Sequence, residues 1–379
     1  MRQSKALVLA VIACLPLVLT SCIGGGQATG GWSGPTVHDG IIYVGTRDGR
    51  VVAINASSRD QLWQWPDTAG LRGLIYATPV VHGDLVYVAT YNGQVYALTS
   101  DRGVERWVYP RTGSIGGIVG TPVVGNETVY VSSSDSTVYA LDTTYGDLKA
   151  EYEILDEKGQ RHEKLWTSPV VHDGSIYVST LDGYVYGFSS ETGELEWSFK
   201  SEAGFASAPV IYEDAMFLGS FDRYLYAVRI ASNASMWRFP QEEPAGNWFW
   251  TSPVVNDGIV YAGCLDGRLY AIGATTGEEI WSYTTKDQTD EPSPIVSSPV
   301  LMDDLLVVVN ESGNVYVLDA STESGDEAVP LVAIGASVRS SFCAQDNLVY
   351  IRAEDNQLYV VDIDRGEMSW TFDLTEKEE

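Results

Sequence analysis

The chain has 379 residues, and its 51 acidic residues against 23 basic residues give a formal net charge of -28 at pH 7. Binding to a phosphate backbone needs a basic face, so this balance argues against nucleic acid and disfavours docking on anionic lipid. The acidic residues are interpreted as a solvated surface. A cation or basic-partner site and adaptation to a salty environment remain alternatives.

The N-terminal segment predicts a targeting signal. Arg2 and Lys5 precede an apolar run from residue 6 to residue 19, which is too short to span a bilayer comfortably. This pattern is typical of a signal peptide, assigned to residues 1–21. The sequence LTSC that ends at Cys22 resembles a bacterial lipobox, in which the signal is removed before a cysteine that then receives lipid. A chance cysteine near an ordinary cleavage site is the alternative.

Lipidation would make Cys22 the first residue of the mature protein, with the glycine-rich residues 22–32 as a flexible tether. The protein is therefore expected outside the cytoplasm, anchored by lipid to a bacterial membrane. Resemblance to lipoproteins that lack aspartate after the cysteine indicates the outer membrane if the cell has one, and otherwise the outer face of the cytoplasmic membrane.

From residue 33 to residue 375 the chain consists of repeats, followed by a charged tail at residues 376–379. A Ser-Pro-Val-Val-like segment recurs every 40 to 47 residues, and its prolines are Pro35, Pro79, Pro122, Pro169, Pro209, Pro253 and Pro299. An eighth copy has Phe342 at the proline position. Units of this length with several short strands are typical of a β-propeller.

Each unit predicts four strands joined by three tight turns. Strand-like segments alternate β-branched and aromatic residues, and turns such as Asp182-Gly183 suit a type I′ hairpin. A four-stranded antiparallel sheet is one propeller blade, so the predicted fold is an all-β, eight-bladed propeller. Unit eight carries its own outer strand around Trp370, so the ring is expected to close without a strand from the N-terminus.

A tryptophan follows the third turn in six units. These residues are Trp63, Trp107, Trp197, Trp237, Trp281 and Trp370, whereas units three and seven have Ala150 and Val329. Each tryptophan is expected to pack against the neighbouring blade, because one blade cannot bury both of its faces alone. The pattern A-x-x-x-x-T-G-x-x-x-W, as from Ala271 to Trp281, resembles the tryptophan-docking repeat of PQQ-type propellers.

That family includes quinoprotein dehydrogenases and the outer-membrane assembly lipoprotein BamB, so the resemblance leaves two classes of function open. A dehydrogenase would hold PQQ and calcium in the central funnel, often under adjacent cysteines. This chain has no Cys-Cys pair and no long insertions around a cofactor, and fold alone does not establish function. No cofactor is therefore expected, with PQQ and calcium, or a sugar or other small ligand, as the alternative.

No catalytic or metal site is predicted. Three of the four histidines, His38, His82 and His172, occupy one turn position in separate blades and cannot converge on one ion at bonding distance. Cys264 and Cys343 come from non-adjacent blades, so free buried thiols are expected instead of a disulfide.

One aromatic position recurs three residues before the proline, where Trp32, Tyr76, Trp166 and Trp250 align. These rings are expected at one mouth of the channel, where they would bind a peptide, stack on a sugar or simply fill the funnel. Trp248 and Phe249 lie in a longer connection and are expected to be exposed, so they are the first candidates for partner binding, with Trp250 in support. The insertion from Glu151 to Lys164 is a second candidate surface.

The function inferred from these patterns is a non-enzymatic, lipid-anchored propeller that acts as a protein-binding scaffold in the cell envelope. The nearest family role is BamB-like assembly of outer-membrane proteins. The expected partners are other envelope proteins or peptides, bound by loops between blades or by addition to an edge strand.

Overall fold

Each repeat unit folds into one four-stranded antiparallel sheet, and the described residues contain eight such sheets. The computed structural model describes residues 32–67, 73–155, 161, 164–205, 207–320 and 329–375. The predicted signal peptide, Cys22 and the charged tail lie outside the described residues. Strands follow chain order within every sheet, so the predicted eight-bladed propeller of four-stranded antiparallel blades is confirmed.

The first four blades contain sixteen strands. Blade 1 has β1 (Pro35–His38), β2 (Ile41–Gly45), β3 (Val51–Asn55) and β4 (Gln61–Trp65). Blade 2 has β5 (Val80–His82), β6 (Leu85–Ala89), β7 (Val95–Thr99) and β8 (Glu105–Tyr109). Blade 3 has β9 (Val123–Gly125), β10 (Thr128–Ser133), β11 (Thr137–Asp142) and β12 (Leu148–Glu153). Blade 4 has β13 (Val170–His172), β14 (Ser175–Ser179), β15 (Tyr184–Ser189) and β16 (Leu195–Lys200).

The last four blades repeat this order. Blade 5 has β17 (Val210–Tyr212), β18 (Ala215–Gly219), β19 (Leu225–Arg229) and β20 (Ala234–Phe239), with a 3₁₀ turn at Ile230–Ser232. Blade 6 has β21 (Val254–Asn256), β22 (Ile259–Gly263), β23 (Arg268–Gly273) and β24 (Glu279–Thr284). Blade 7 has β25 (Val300–Met302), β26 (Leu305–Val309), β27 (Asn314–Asp319) and β28 (Val332–Ala333). Blade 8 has β29 (Phe342–Gln345), β30 (Leu348–Arg352), β31 (Gln357–Asp362) and β32 (Glu367–Asp373). Among the described residues, none of the helices has the length and apolar character needed to cross a membrane.

The turn between the first two strands explains why each unit starts as a hairpin. Asp39 and Gly40 join β1 to β2 with φ angles of 50° and 71°. Two successive positive φ angles define a type I′ turn, whose twist matches that of the strands it joins. Blade 4 uses the same geometry at Asp173 and Gly174, with φ angles of 46° and 76°.

Ala or Gly lies opposite five of the six docking tryptophans. In blade 1, Ala53 pairs with Trp63, and a β-bulge follows directly. The residue opposite the tryptophan is Ala or Gly in blades 2, 4, 5 and 6, and Val360 in blade 8. Side chains of directly opposed residues share one face of the sheet, so a small partner leaves room for the indole. This accounts for the alanine that begins the repeated pattern.

The six repeated tryptophans lie between neighbouring blades, and each is only 7–8% exposed. The indole Nε1 of Trp63 donates a hydrogen bond of 2.9 Å to the main-chain oxygen of Ser100 in blade 2. Trp107, Trp197 and Trp237 make the equivalent bond to the next blade at 3.0, 2.8 and 2.9 Å. Each bond satisfies a buried donor and ties two blades together.

Blades 3 and 7 fill the tryptophan position with different residues. The hydroxyl of Tyr152 donates to the main-chain oxygen of Ser190 in blade 4, at 3.3 Å. In blade 7, Leu331 lies against Gly366 of blade 8, whereas Val329 is 78% exposed. These substitutes show that the inter-blade space must be filled, although the residue that fills it can shift along the chain.

The ring is closed by packing between the first and last blades. Each hydrophobic cluster among the described residues joins two adjacent blades, and one of them joins Ile42 and Val44 of blade 1 to Tyr350 and Trp370 of blade 8. Blade 8 supplies its own four strands, β29 to β32. The expectation that blade 8 carries its own outer strand around Trp370 is therefore confirmed.

Candidate functional site

The first strands of the blades contact one another around the centre of the ring. The residue three places before the aligned proline, or before Phe342 in blade 8, lies in the segment that leads into each first strand. This position contributes seven residues to one pocket of about 200 Å³, namely Trp32, Tyr76, Val119, Trp166, Trp250, Val296 and Arg339. This pocket is called the funnel below. The structure thus brings together the four aromatic residues that align in the sequence.

The aromatic residues of the funnel form two groups in opposite parts of the ring. In blades 1 and 2, the ring centroids of Trp32 and Tyr76 are 4.7 Å apart, and Tyr76 lies 5.2 Å from Tyr91. In blades 5 and 6, Phe221 lies 5.9 Å from Trp250. Edge-on and tilted contacts of this kind stabilise one another and hold each ring in a fixed orientation.

Trp248 lies beside the funnel and does not line it. Its ring is 5.2 Å from Phe221, and its main-chain oxygen accepts a hydrogen bond of 2.9 Å from the N–H of Leu265. The side chain is half-buried. Trp248 therefore presents part of a fixed indole at the outer edge of the funnel, and this edge, formed by Trp248, Phe221 and Trp250, is called the aromatic rim.

The expectation that Phe249 is exposed is wrong. Its side chain is fully buried, with its ring 6.4 Å from Phe239 and 5.6 Å from Tyr270. The physical reason is that successive side chains of an extended segment point to opposite sides. Trp248 and Trp250 face the funnel side, so Phe249 enters the core between blades 5 and 6. Phe249 cannot contact a partner directly.

The residue immediately before the proline forms a collar of hydroxyl groups inside the funnel. The lining includes Thr78, Thr121, Ser168, Ser252, Ser298 and Ser341. The N–H of Thr121 donates to the Oγ of Ser168 at 2.9 Å, and the N–H of Ser252 donates to the Oγ of Ser298 at 3.0 Å. Gly34 and Thr78 donate to the collar hydroxyl of the following blade in the same way. Sequence reasoning missed the collar, although Ser or Thr recurs before the aligned proline in five units and before Phe342 in the eighth.

Arg339 is the charged residue of the described funnel lining. Its Nε lies 2.8 Å from a carboxylate oxygen of Glu311 and 3.8 Å from one of Glu354. The guanidinium is thus neutralised by residues outside the funnel. Aromatic, hydroxyl and small side chains make up the rest of the lining, so the funnel has little net charge although the protein is strongly acidic.

The opposite end of each first strand is acidic. The turn after the first strand carries a carboxylate in every blade and no Lys or Arg, at Asp39, Asp84, Glu127, Asp173, Glu213, Asp257, Asp303 and Asp346. The side chains of Asp39 and Asp173 are 89% and 91% exposed. These turns add carboxylates at the end of the channel away from the funnel, while Asp182 and Asp222, which directly follow the lining residues Leu181 and Phe221, place carboxylates beside the funnel as well.

The residues present do not fit PQQ with calcium. That quinone is a tricarboxylate and needs cationic or amide partners, whereas the one guanidinium of the described lining is already paired with Glu311. Within the described ranges, no three His, Cys, Asp or Glu side chains are grouped to hold a metal ion. Calcium requires six to eight oxygen ligands. The donor set of the funnel therefore does not match this cofactor.

Both described cysteines are free thiols, at Cys264 and Cys343. Cys264 is fully buried, and burial raises the pKa of its thiol far above the ordinary value. Desolvation raises the pKa of Cys343 to about 12. Neither thiol is activated as a nucleophile, since reactive cysteines have lowered pKa values.

The insertion from Glu151 to Lys164 falls partly outside the described residues, which omit 156–160 and 162–163. In its described part, Leu155 pairs with Arg161, and the Arg161 guanidinium lies 3.0 Å from Glu153. Leu155 is 44% exposed. These contacts define the base of the insertion and bring it next to no residue of the funnel.

Comparison with known sequences identifies a family. A family model described as outer membrane protein assembly factor BamB matches residues 25–183 and 160–372, which together span most of the chain. No curated protein shows a significant match to the sequence.

Solved structures share the fold at low sequence identity. BamB from Moraxella catarrhalis is 16% identical with a TM-score of 0.69, over 86% of this chain and 93% of its own. The computationally designed Ika8 protein is 17% identical with a TM-score of 0.69, over 89% and 97%. Quinohemoprotein alcohol dehydrogenase from Comamonas testosteroni is 14% identical with a TM-score of 0.64, over 88% and 71%. The likeness extends to an enzyme, a BamB protein and a designed protein, so it shows the fold alone.

Proposed function

The chain belongs to the family of outer membrane protein assembly factor BamB, and we propose that it is a lipid-anchored scaffold that binds other envelope proteins outside the cytoplasm. The proposed anchor is Cys22, after removal of residues 1–21 as a signal peptide. The proposed role is non-enzymatic, with docking at the aromatic rim. Trp248 is the principal contact and Trp250 supports it.

The aromatic rim is the single observation that carries this proposal. Trp248 and Trp250 are half-buried, and both rings are held by Phe221 at 5.2 and 5.9 Å. A tryptophan fixed in orientation before binding loses little conformational freedom when a partner covers it. Interface residues that dominate binding energy are enriched in tryptophan. The rim therefore has the composition and the rigidity of a docking site.

The position of the proposed anchor supports docking on the funnel side. Cys22 precedes Trp32 by ten residues, and Trp32 lines the funnel. Ten extended residues reach at most about 35 Å. A lipid on Cys22 would therefore keep the funnel side within about this distance of the membrane.

A quinone-dependent enzyme is disfavoured by the chemistry of the funnel. Arg339 is committed to Glu311, and the hydroxyl collar offers no charge to bind a tricarboxylate. The similarity to quinohemoprotein alcohol dehydrogenase at 14% identity supports a shared fold and no shared activity.

Affinity capture from chemically cross-linked envelopes tests the proposal. The wild-type protein is expected to retain a reproducible set of envelope proteins that Trp248→Ala loses. Tyr145→Ala is the matched control, because Tyr145 is an aromatic residue that is 68% exposed in blade 3, away from the rim. Equal capture by wild type and Trp248→Ala would contradict docking at the rim.

A further inference from the structure

We propose that the funnel binds a neutral sugar ring at the end of an oligosaccharide. This site adjoins the aromatic rim and shares Phe221 and Trp250 with it, whereas Trp248 belongs to the rim alone. Three features of the lining carry the inference: its aromatic faces, its hydroxyl donors and its small net charge.

The aromatic faces suit the apolar side of a sugar ring. Trp32, Trp166 and Trp250 line the pocket and remain half-buried, so part of each indole faces the cavity. A pyranose ring presents C–H groups on its faces and hydroxyl groups around its edge. Flat aromatic side chains can cover the C–H faces while polar neighbours contact the edge, as in other pockets that combine apolar walls with a few polar groups.

The collar supplies hydrogen-bond donors that the protein itself does not use. Thr121, Ser168 and Ser298 each accept a main-chain N–H at 3.3, 2.9 and 3.0 Å. A hydroxyl group has one proton to donate and a second lone pair. Within the described part of the chain, these three hydroxyl protons reach no acceptor. Sugar hydroxyl groups can also donate and accept, so a hydrogen bond between a sugar hydroxyl and a collar hydroxyl can form in either direction.

The same hydrogen bonds disfavour an extended peptide in this position. Peptides that add to a strand edge are bound through free main-chain N–H and C=O groups. At the funnel, the N–H groups of Gly34, Thr78 and Thr121 already donate to collar hydroxyls. What the funnel offers a ligand is therefore a ring of side-chain hydroxyl groups and not an open strand edge.

The charge and the volume of the funnel restrict the class of ligand further. Glu311 and Glu354 offset the charge of Arg339, so the funnel offers an acidic sugar little net attraction. Pockets for small ligands measure about 300–1,000 Å³, and the funnel measures about 200 Å³. It therefore has room for one terminal ring, while the remaining rings of an oligosaccharide would extend into solvent.

Titration calorimetry with defined sugars tests the inference. The lipoprotein is purified in a detergent without a sugar head group and titrated separately with maltohexaose, cellohexaose and chitohexaose. We expect saturable binding of at least one of the three, and binding of the acidic hexagalacturonate that is at least about tenfold weaker, since a buried unpaired charge is costly. No binding of any neutral hexasaccharide, or equal binding of hexagalacturonate, would overturn the inference. Saturable binding of a neutral Gly-Ser peptide in place of the sugars would also overturn it.

Variants locate the site. Trp166→Ala and Trp250→Ala are each expected to weaken binding about fivefold, from the loss of one aromatic contact. Tyr145→Ala, at an exposed aromatic residue of blade 3, is the matched control and should bind sugar as the wild type does. Circular dichroism establishes that each variant is folded. Unchanged sugar binding in a folded Trp166→Ala, Trp250→Ala double variant would refute the funnel as the site. Because protein capture is measured at Trp248, the two proposals can fail separately.

Discussion

Thr78 and Ser341 share a hydrogen bond of 2.9 Å between their hydroxyl groups, although 263 residues separate them in the chain. Thr78 belongs to blade 2 and Ser341 to blade 8, so the bond passes over the start of blade 1. Gly34 lies between them, and its N–H donates to Thr78 at 3.3 Å. The hydroxyl collar therefore continues across the point where the first and last repeats meet.

The close approach at Gly34 predicts a sensitive point of ring closure. A Cβ at this position would overlap the hydroxyl and main-chain oxygens of Ser341. Gly34→Ala is therefore expected to lower the free energy of unfolding by about 1–3 kcal/mol, the usual cost of overpacking. Gly125→Ala is the matched control, because the nearest atom to its Cβ would be 3.8 Å away, on Val171. Thermal melting checks both, and equal melting temperatures would contradict the account of closure.

A second prediction separates packing from hydrogen bonding at an inter-blade tryptophan. Trp197→Ala is expected to lower the free energy of unfolding by about 3–5 kcal/mol. Trp197→Phe keeps a ring but loses the 2.8 Å bond to Ile230, so its cost should be nearer 1–3 kcal/mol. Denaturant titration followed by circular dichroism measures both changes. Tyr145→Ala, at an exposed aromatic residue, should change stability by less than about 0.5 kcal/mol.

Adjacent residues in the connection to blade 6 should respond differently to truncation. Phe249→Ala is expected to lower the free energy of unfolding by about 3–5 kcal/mol, because its fully buried ring packs against Tyr270. Trp248→Ala should lower the free energy of unfolding by a smaller amount, since Trp248 is half-buried at the rim. Melting temperatures of the two variants check this order. The reverse order would contradict the core position of Phe249 and the rim position of Trp248.

Lipid attachment gives a fourth prediction. Cys22→Ser should abolish labelling with a fatty-acid precursor and move the protein to the soluble fraction. The reason is that a lipidated cysteine with two acyl chains provides about the minimum for stable membrane anchoring. Cys14→Ser is the control, because Cys14 lies in the proposed signal peptide and should leave labelling unchanged. Retention of the Cys22→Ser protein in membranes would show that Cys22 is not the anchor.

Much of the fold was predictable because its causes are local and repeat. The turn at Asp39 and Gly40 depends on neighbouring residues, and eight copies of the pattern give the blade number directly. The pairing of Ala53 with Trp63 also follows from one unit alone. Features that recur at fixed spacing can therefore be predicted from the sequence without knowing how neighbouring blades pack together.

Other features of the fold and the site depend on contacts between blades and could not be predicted from one repeat. Tyr152 replaces the tryptophan of blade 3 from a position two residues away from the expected one, which spacing does not reveal. Phe249 lies between two half-buried tryptophans, and its burial follows from the direction of a connection outside the repeat. The collar residues were visible in the sequence, but their shared role became clear only when Thr121 and Ser168 were placed in adjacent blades.

Site-directed photo-cross-linking in intact cells tests the central claim most directly. A photoreactive phenylalanine analogue is placed at position 248, on the aromatic rim, or at position 145, an exposed aromatic position in blade 3. The scaffold proposal predicts discrete adducts with envelope proteins from position 248 and few or none from position 145. An absence of adducts at position 248, or equally strong adducts at position 145, would contradict docking of envelope proteins at the rim.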